Sequence, residues 1–333
     1  MNKTSDRANQ IKDFLIRNNS FFILLLLIII SAFLSPVFLS KQNIFNVMRQ
    51  QVPIALLAIG ALLVILTGGI DLSTGAILAI CNIVLAYMIN NMGLASFGGI
   101  ALAIPASIIA GAAVGCFNGL LISYLRMPAF IATLGTMTMI RGLSYMITRG
   151  SPIRPSIDPI EAPGSAALYK FGQSGDPVLG MPWAVWVVII IVVFFWLLMK
   201  YTAFGRLIVA TGSNQTAARL AGVNVRRHRF AAYAICGALA GLAGVLLMAR
   251  AGIATPSLGS GFELESIAAV VIGGASLSGG RGKVINSIIG VFILALIGNI
   301  MNLLSVPAYP QQVIQGGIII IAVLMSISTD KGK

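Results

Sequence analysis

FFILLLLIIISAFL, residues 21–34, carries no charged side chain and no alternation of apolar with polar positions. A helix needs about 20 apolar residues to cross a hydrocarbon layer of roughly 30 Å, whereas barrel strands alternate with period two. The run, extended to 20–39, is read as a spanning helix. It lacks a small-residue cleavage pattern, so it is read as a retained anchor. The same texture recurs at 52–67, 72–92, 96–123, 129–148, 182–200, 231–250, 262–278, 284–304 and 309–327, the second and eighth being short. The expected fold is therefore an all-α integral membrane protein with about ten transmembrane helices. Composition agrees. Of 333 residues, 58% are hydrophobic and 9% charged, too little polar surface for a soluble domain of this size.

The net charge of +13 follows from membrane topology. With residue 1 on the cytoplasmic side, 15 of the 22 basic residues fall inside and 7 outside, the asymmetry expected of a polytopic protein. An even number of spans leaves both ends cytoplasmic. The basic excess then records orientation, and no nucleic-acid partner is expected. The chain divides into a cytoplasmic tail at 1–19, a polytopic membrane unit at 20–327 and a short cytoplasmic tail at 328–333. Within the unit, 149–181 is an outer loop, expected to be irregular because it holds Pro152, Pro155, Pro159, Pro163 and Pro177. Residues 42–51 are read as a short interfacial helix beside it.

One inner segment departs from the membrane texture. Residues 201–230, YTAFGRLIVATGSNQTAARLAGVNVRRHRF, hold five arginines, the single histidine His228 and no acid. A short helix is expected within it, begun by Ser213 or Asn214 and ended by Gly222 in a left-handed cap.

Two other segments read as breaks in the membrane. Residues 68–75, GGIDLSTG, and 273–280, GGASLSGG, share the pattern G-G-x-x-L-S-x-G. Glycine pairs weaken a helix, and serine offers a partner to freed backbone groups. Broken helices at membrane depth persist only where protein or water covers them, and transporters place substrate routes there. Gly69, Asp71, Ser73, Asn118, Thr133 and Ser276 are therefore candidates for a translocation path or gate. Asp71 has two readings: a group on that route, or a cap of the helix that follows. Asn82, Asn299 and Asn302 are equally consistent with interhelical hydrogen bonds and with solute contacts. Gly111, Gly115 and Gly119, with Gly237 and Gly241, place small residues on single helix faces and predict close helix packing.

Catalysis is hard to build from this inventory. Cys81, Cys116 and Cys236 lie in apolar runs without metal-ligand spacing, and one histidine with nine acids leaves no metal site or triad. GRGKV at 280–284 lacks the first glycine and the Ser or Thr of a phosphate loop, having Leu277 and Val284 there. No bound cofactor is expected, and the chain is read as a non-enzyme.

Taken together, these motifs resemble the membrane permease subunit of bacterial ABC sugar importers of the ribose, arabinose and xylose type. The resemblance covers nearly the whole chain. It rests on TGGIDLS at 67–73, FNGLLI at 117–122, PAFIATLGTM at 128–137, RGL at 141–143, TAFGR at 202–206, the strip from Gly212 to Val225, FELESIAAVVIGGASLSGGRG at 262–282 and QQVIQG at 311–316. It implies that the chain sits in the bacterial inner membrane and passes a monosaccharide or small polyol inward. It also implies a second permease copy, a periplasmic sugar-binding protein, and a cytoplasmic ATPase subunit that uses ATP and Mg. Such permeases dock on the ATPase through a short E-A-A-x-x-x-G helix. Asn214, Thr216, Ala217, Ala218, Arg219 and Gly222 resemble that coupling element, with Thr216 in place of the acid. Gln315 stands where related permeases often carry a basic residue. The alternative is an ion-coupled secondary transporter, for which Asp71, Glu263 or Glu265 would be the titrating acid.

Overall fold

The computed structural model describes residues 19–176 and 178–331. Residues 1–18, with the basic residues Lys3, Arg7, Lys12 and Arg17, lie outside that range, as do Pro177, Gly332 and Lys333. Thirteen helices are described: α1 (Asn19–Leu34), α2 (Lys41–Leu66), α3 (Thr74–Asn91), α4 (Phe97–Ser123), α5 (Ala129–Thr148), α6 (Pro163–Gln173), α7 (Trp183–Tyr201), α8 (Ala203–Ser213), α9 (Gln215–Leu220), α10 (Val225–Ala251), α11 (Phe262–Ile272), α12 (Val284–Leu303) and α13 (Ala308–Lys331). Seven of them, α2, α3, α4, α5, α7, α10 and α12, are long and apolar enough to cross a membrane. Strand-type pairing among the described residues is confined to two isolated bridges, Ile153 with Ala254 and Gly175 with Pro182.

Hydrophobicity places these helices in the bilayer without saying which faces meet, because lipid tails are as apolar as leucine. Packing is decided by small residues and a few polar ones. α2 is the central post, with Leu56, Leu57, Ala58, Ile59, Leu62, Leu63, Val64 and Leu66 fully buried. α10 crosses α4 where the two glycine rows meet. A methyl on Gly115 would collide with Tyr233 O, and one on Gly237 would collide with Gly111 O. Further along α10, Gly244 packs on Leu78 O of α3, and Asn82 donates to Gly244 O at 3.3 Å. Asn43 of α2 and Asn299 of α12 exchange amide hydrogen bonds at 3.0 and 2.9 Å. For Asn82 and Asn299, then, the amide serves helix association.

Three regions depart from the sequence reading. Residues 42–51 are the first turns of α2 and not a separate interfacial helix, since the helix runs on through Pro53. Val52 and Pro53 are buried, and neighbouring helices in a membrane protein tolerate such a proline. The run at 262–278 is not one continuous spanning helix. Its helix, α11, covers 11 residues, roughly 16 Å, about half the hydrocarbon thickness. The loop at 149–181 is only partly irregular, because α6 folds within it with Pro163 at its first turn. Its Gly164 and Gly172 lie against Ser96 O and Ala249 O. In the same loop Asp176 accepts from the N–H groups of Leu179, Val178 and Met181 and from Trp186 Nε1. The Leu179 bond leads in holding its carboxyl below the ordinary carboxylate value.

Candidate functional site

Both G-G-x-x-L-S-x-G segments are breaks: α2 ends at Leu66 before α3 begins at Thr74, and α11 ends at Ile272 before α12 begins at Val284. The sequence showed two like segments; the structure shows that they touch. Gly280 N donates to Leu66 O at 3.0 Å. A methyl on Gly279 would lie 2.9 Å from Gly68 N, and one on Gly212 of α8 would lie 2.7 Å from Gly280 N. The two breaks and the end of α8 thus form one backbone junction, which only residues without a Cβ allow.

Beside this junction lies a buried polar chain. Asn118 Nδ2 of α4 donates to Ser73 Oγ at 2.8 Å, and Ser73 Oγ donates in turn to Asp71 Oδ1. Asp71 Oδ1 also accepts from Ser73 N at 2.9 Å, closing the turn that leads into α3. Ser73, the residue before α3, makes no side-chain capping bond of its own. Asp71 is 2% exposed, and its Oδ2 has no hydrogen-bond partner. Tyr233 Oη covers the same turn, donating to Ile70 O at 3.2 Å and filling the space above Gly69. Of the candidate path residues, the structure brings Gly69, Asp71, Ser73 and Asn118 together. Ser276 sits in the second break, in contact with Ser278 Oγ at 2.6 Å. Thr133 is on α5, buried and bonded to Ala129 O of its own helix at 2.9 Å.

The basic strip folds as three pieces: α8, α9 and the start of α10. Asn214 closes one helix and opens the next, its Oδ1 accepting from Ala217 N at 2.9 Å. At the other end Gly222 takes φ +80°, with its N–H on Arg219 O and the Val223 N–H on Ala218 O at 2.9 Å. This paired pattern is the Schellman stop that glycine permits. Ala218 packs inward, while Thr216, Ala217, Arg219 and Ala221 face outward. Leu220 is 85% exposed at the tip. The sequence reading passed over Leu220; the signal was an apolar side chain in a segment that buries only its alanine. A helix of six residues has little stability alone, so two caps and a protruding apolar tip mark a shape kept for contact.

These features define a polytopic transport subunit: a glycine-packed bundle with paired membrane breaks and a projecting capped helix, and no group of His, Cys, Asp or Glu placed to hold a metal among the described residues. Its family follows from comparison. Residues 43–323 match the family model described as branched-chain amino acid transport system / permease component, and the chain belongs to that family. It is similar to the ribose import permease protein RbsC of Escherichia coli strain K12, 39% identical over 321 residues, covering 96% of this chain and 97% of the relative. The ribose import permease protein of Bacillus subtilis strain 168 is 42% identical over 299 residues, 89% of this chain and 88% of the relative. The autoinducer 2 import system permease protein LsrC of Escherichia coli strain K12 / DH10B is 36% identical over 297 residues, 89% and 82% respectively. No solved structure matches. The chain is therefore an inner-membrane permease, a transport component and not an enzyme.

Proposed function

We propose that this chain is the translocation subunit of an ATP-driven importer that carries a monosaccharide or related small polyol into the cytoplasm. The observation that carries the reading is α9, a six-residue helix capped at both ends and presented outward in the strip with the highest density of arginine. Asn214, Thr216, Ala217, Arg219 and Gly222 form the surface on which a cytoplasmic ATPase docks, with Ala218 seating the helix behind them. ATP and Mg belong to that partner. The arginines set its register more than its affinity. The ribose permeases named above support a sugar as cargo. A periplasmic binding protein delivers it, and a second permease copy completes the pore. This reading counts ten spans, taking α1, α13 and the α11 half-helix with its break together with the seven long apolar helices, and keeps both ends on the cytoplasmic side.

In this reading the buried Asp71–Ser73–Asn118 chain, with Gly69 and the Ser276 break, holds a gate. It ties α4 to the first break, and the backbone junction ties that break to the second and to α8, the element leading into α9. Movement of α9 by the ATPase thus reaches both breaks through Gly212 and Gly280. Thr133 is the candidate path residue of α5.

Reconstitution with the cognate ATPase and binding protein tests this. Uptake of labelled ribose should require ATP and the binding protein and ignore proton and sodium gradients. Gly222→Val should still insert, since open space surrounds Gly222, yet its φ forbids the cap and uptake should fall by roughly tenfold or more. Gradient-driven uptake by the chain alone, or normal uptake in Gly222→Val, refutes the docking mechanism.

A further inference from the structure

The polar cluster at the breaks is bonded within itself, and a separate cavity has chemistry suited to a sugar. Between α11, α12 and the first turns of α13 lies a cavity of ≈ 500 Å³, a size typical of small-molecule sites. Its polar lining is Ser260, Glu265, Gln312 and Gln315, with Phe262 and Leu264 beside them.

The depth of this cavity makes its polarity costly. α11 begins inside the bundle: its Glu263 Oε2 lies against Gly75 in the first turn of α3, where an added methyl would collide with it. The cavity also reaches Leu294 within α12 and Ile319 within α13, so it is not confined to a helix end. An ionisable group at such depth is expensive unless it meets water, a partner or cargo. Glu265 is half-buried, and its carboxylate has neither a hydrogen bond nor an ion pair among the described residues. Gln312 and Gln315 are exposed on a helix whose neighbouring Val313 and Tyr309 are 77% and 82% exposed. Two carboxamides on such a face gain nothing from lipid.

The segment leading into one wall of the cavity is held in place. Arg141 of α5 donates to Pro256 O and to Leu258 O at 2.9 Å, pinning the segment that delivers Ser260 and Gly261. No lysine or arginine lines the cavity among the described residues, so an anion finds no partner there. A carboxylate, two carboxamides and a hydroxyl beside an aromatic ring fit an uncharged polyol. They can accept from and donate to its hydroxyls, while the ring covers its C–H face.

We propose that Glu265, Gln312 and Gln315 form a transient sugar-binding station on the translocation route, with Arg141 as a positioning residue; this rests on the sugar-import reading above. The test uses the reconstituted importer and ribose. Gln312→Ala and Glu265→Gln should each lower ribose uptake about tenfold, the size of one or two lost polar contacts, while binding-protein-stimulated ATP hydrolysis stays within about twofold. Both should also narrow the preference for ribose over 2-deoxyribose, which a purely structural role would not move. Glu265→Asp should restore part of the rate. Independently, Gln312→Cys should react with a membrane-impermeant methanethiosulfonate, and excess ribose should slow that reaction. Unchanged uptake and unchanged preference in Gln312→Ala overturn the proposal, as does a thiol in the Gln312→Cys variant that the reagent never reaches. Wild-type importer that moves no sugar at all refutes the import reading instead, and thiol protection by ribose then still reports on the station.

Discussion

Asp71 shows how one acid can be tolerated inside a membrane protein. Its Oδ1 takes two hydrogen bonds from Ser73, and Asn118 steadies Ser73 from α4. What the side chain supplies to the turn is an acceptor. Asn keeps an acceptor oxygen at that position and Ala does not. Asp71→Asn should therefore retain thermal stability in detergent and most of the uptake. Asp71→Ala should lose about 1–3 kcal/mol of stability, because a buried backbone N–H is left without its partner. Thermal unfolding of the two purified variants checks this; equal losses would show that the charge, and not the acceptor, is what the turn uses. The sequence made both roles of Asp71 readable, since D-L-S before a long apolar run is capping chemistry. It did not show that Asp71 bonds Ser73 while Ser73 itself makes no capping bond. That depends on Asn118, 45 positions away in sequence.

At the scale of elements, the bundle is held by the crossing of α4 on α10. Gly111, Gly115 and Gly237 bring the two backbones within contact, so any side chain there must push the helices apart. Gly237→Leu should lower the thermal stability by about 1–3 kcal/mol or more, the range of overpacking in a tight core. Gly135→Leu on α5, where open space surrounds the glycine, should leave stability within about 0.5 kcal/mol, as expected of a surface change. Equal effects of the two variants, measured by thermal unfolding, would refute the crossing as the determinant. Long apolar runs made α3, α4, α5, α7, α10 and α12 legible in the sequence, and spaced glycines marked the faces that pack. Local texture failed where tertiary context rules. Gln50, Gln51 and Pro53 read as the edge of a span, yet α2 continues through them because its neighbours cover it. FELESIAAVVI reads as part of a span, yet α11 is a half-helix, since Gly273 ends it against Asn286 and Ser287 and Gly274 turns the chain at φ +88°. Glu265, Gln312 and Gln315 are not joined by any local pattern, since the first lies far from the other two in the chain and only the fold brings them to one cavity.

For the whole molecule, orientation ties the parts into one machine. In the proposed importer, α9 faces the compartment that holds ATP, and the 149–181 loop with α6 faces the delivering protein. The basic residues are the physical handle on this: Arg206, Arg219, Arg226 and Arg227 are exposed on one side of the sequence-derived topology, where positive charge accumulates. Single cysteines measure it in a Cys116→Ser background, since Cys81 and Cys236 are buried and Cys116 is half-exposed. Arg226→Cys should react with an impermeant maleimide in inverted membrane vesicles and stay unlabelled in right-side-out ones. Glu161→Cys, at an exposed position before α6, should show the reverse. A tag following residue 333 should be cleaved by protease only in inverted vesicles, because ten crossings return the chain to the side of the strip. Labelling of both cysteines from the same side would break the assignment of α9 to the ATPase. A tag cleaved only in right-side-out vesicles would mean an odd number of crossings, and the half-helix α11 with its break would then be a re-entrant segment that turns back without crossing.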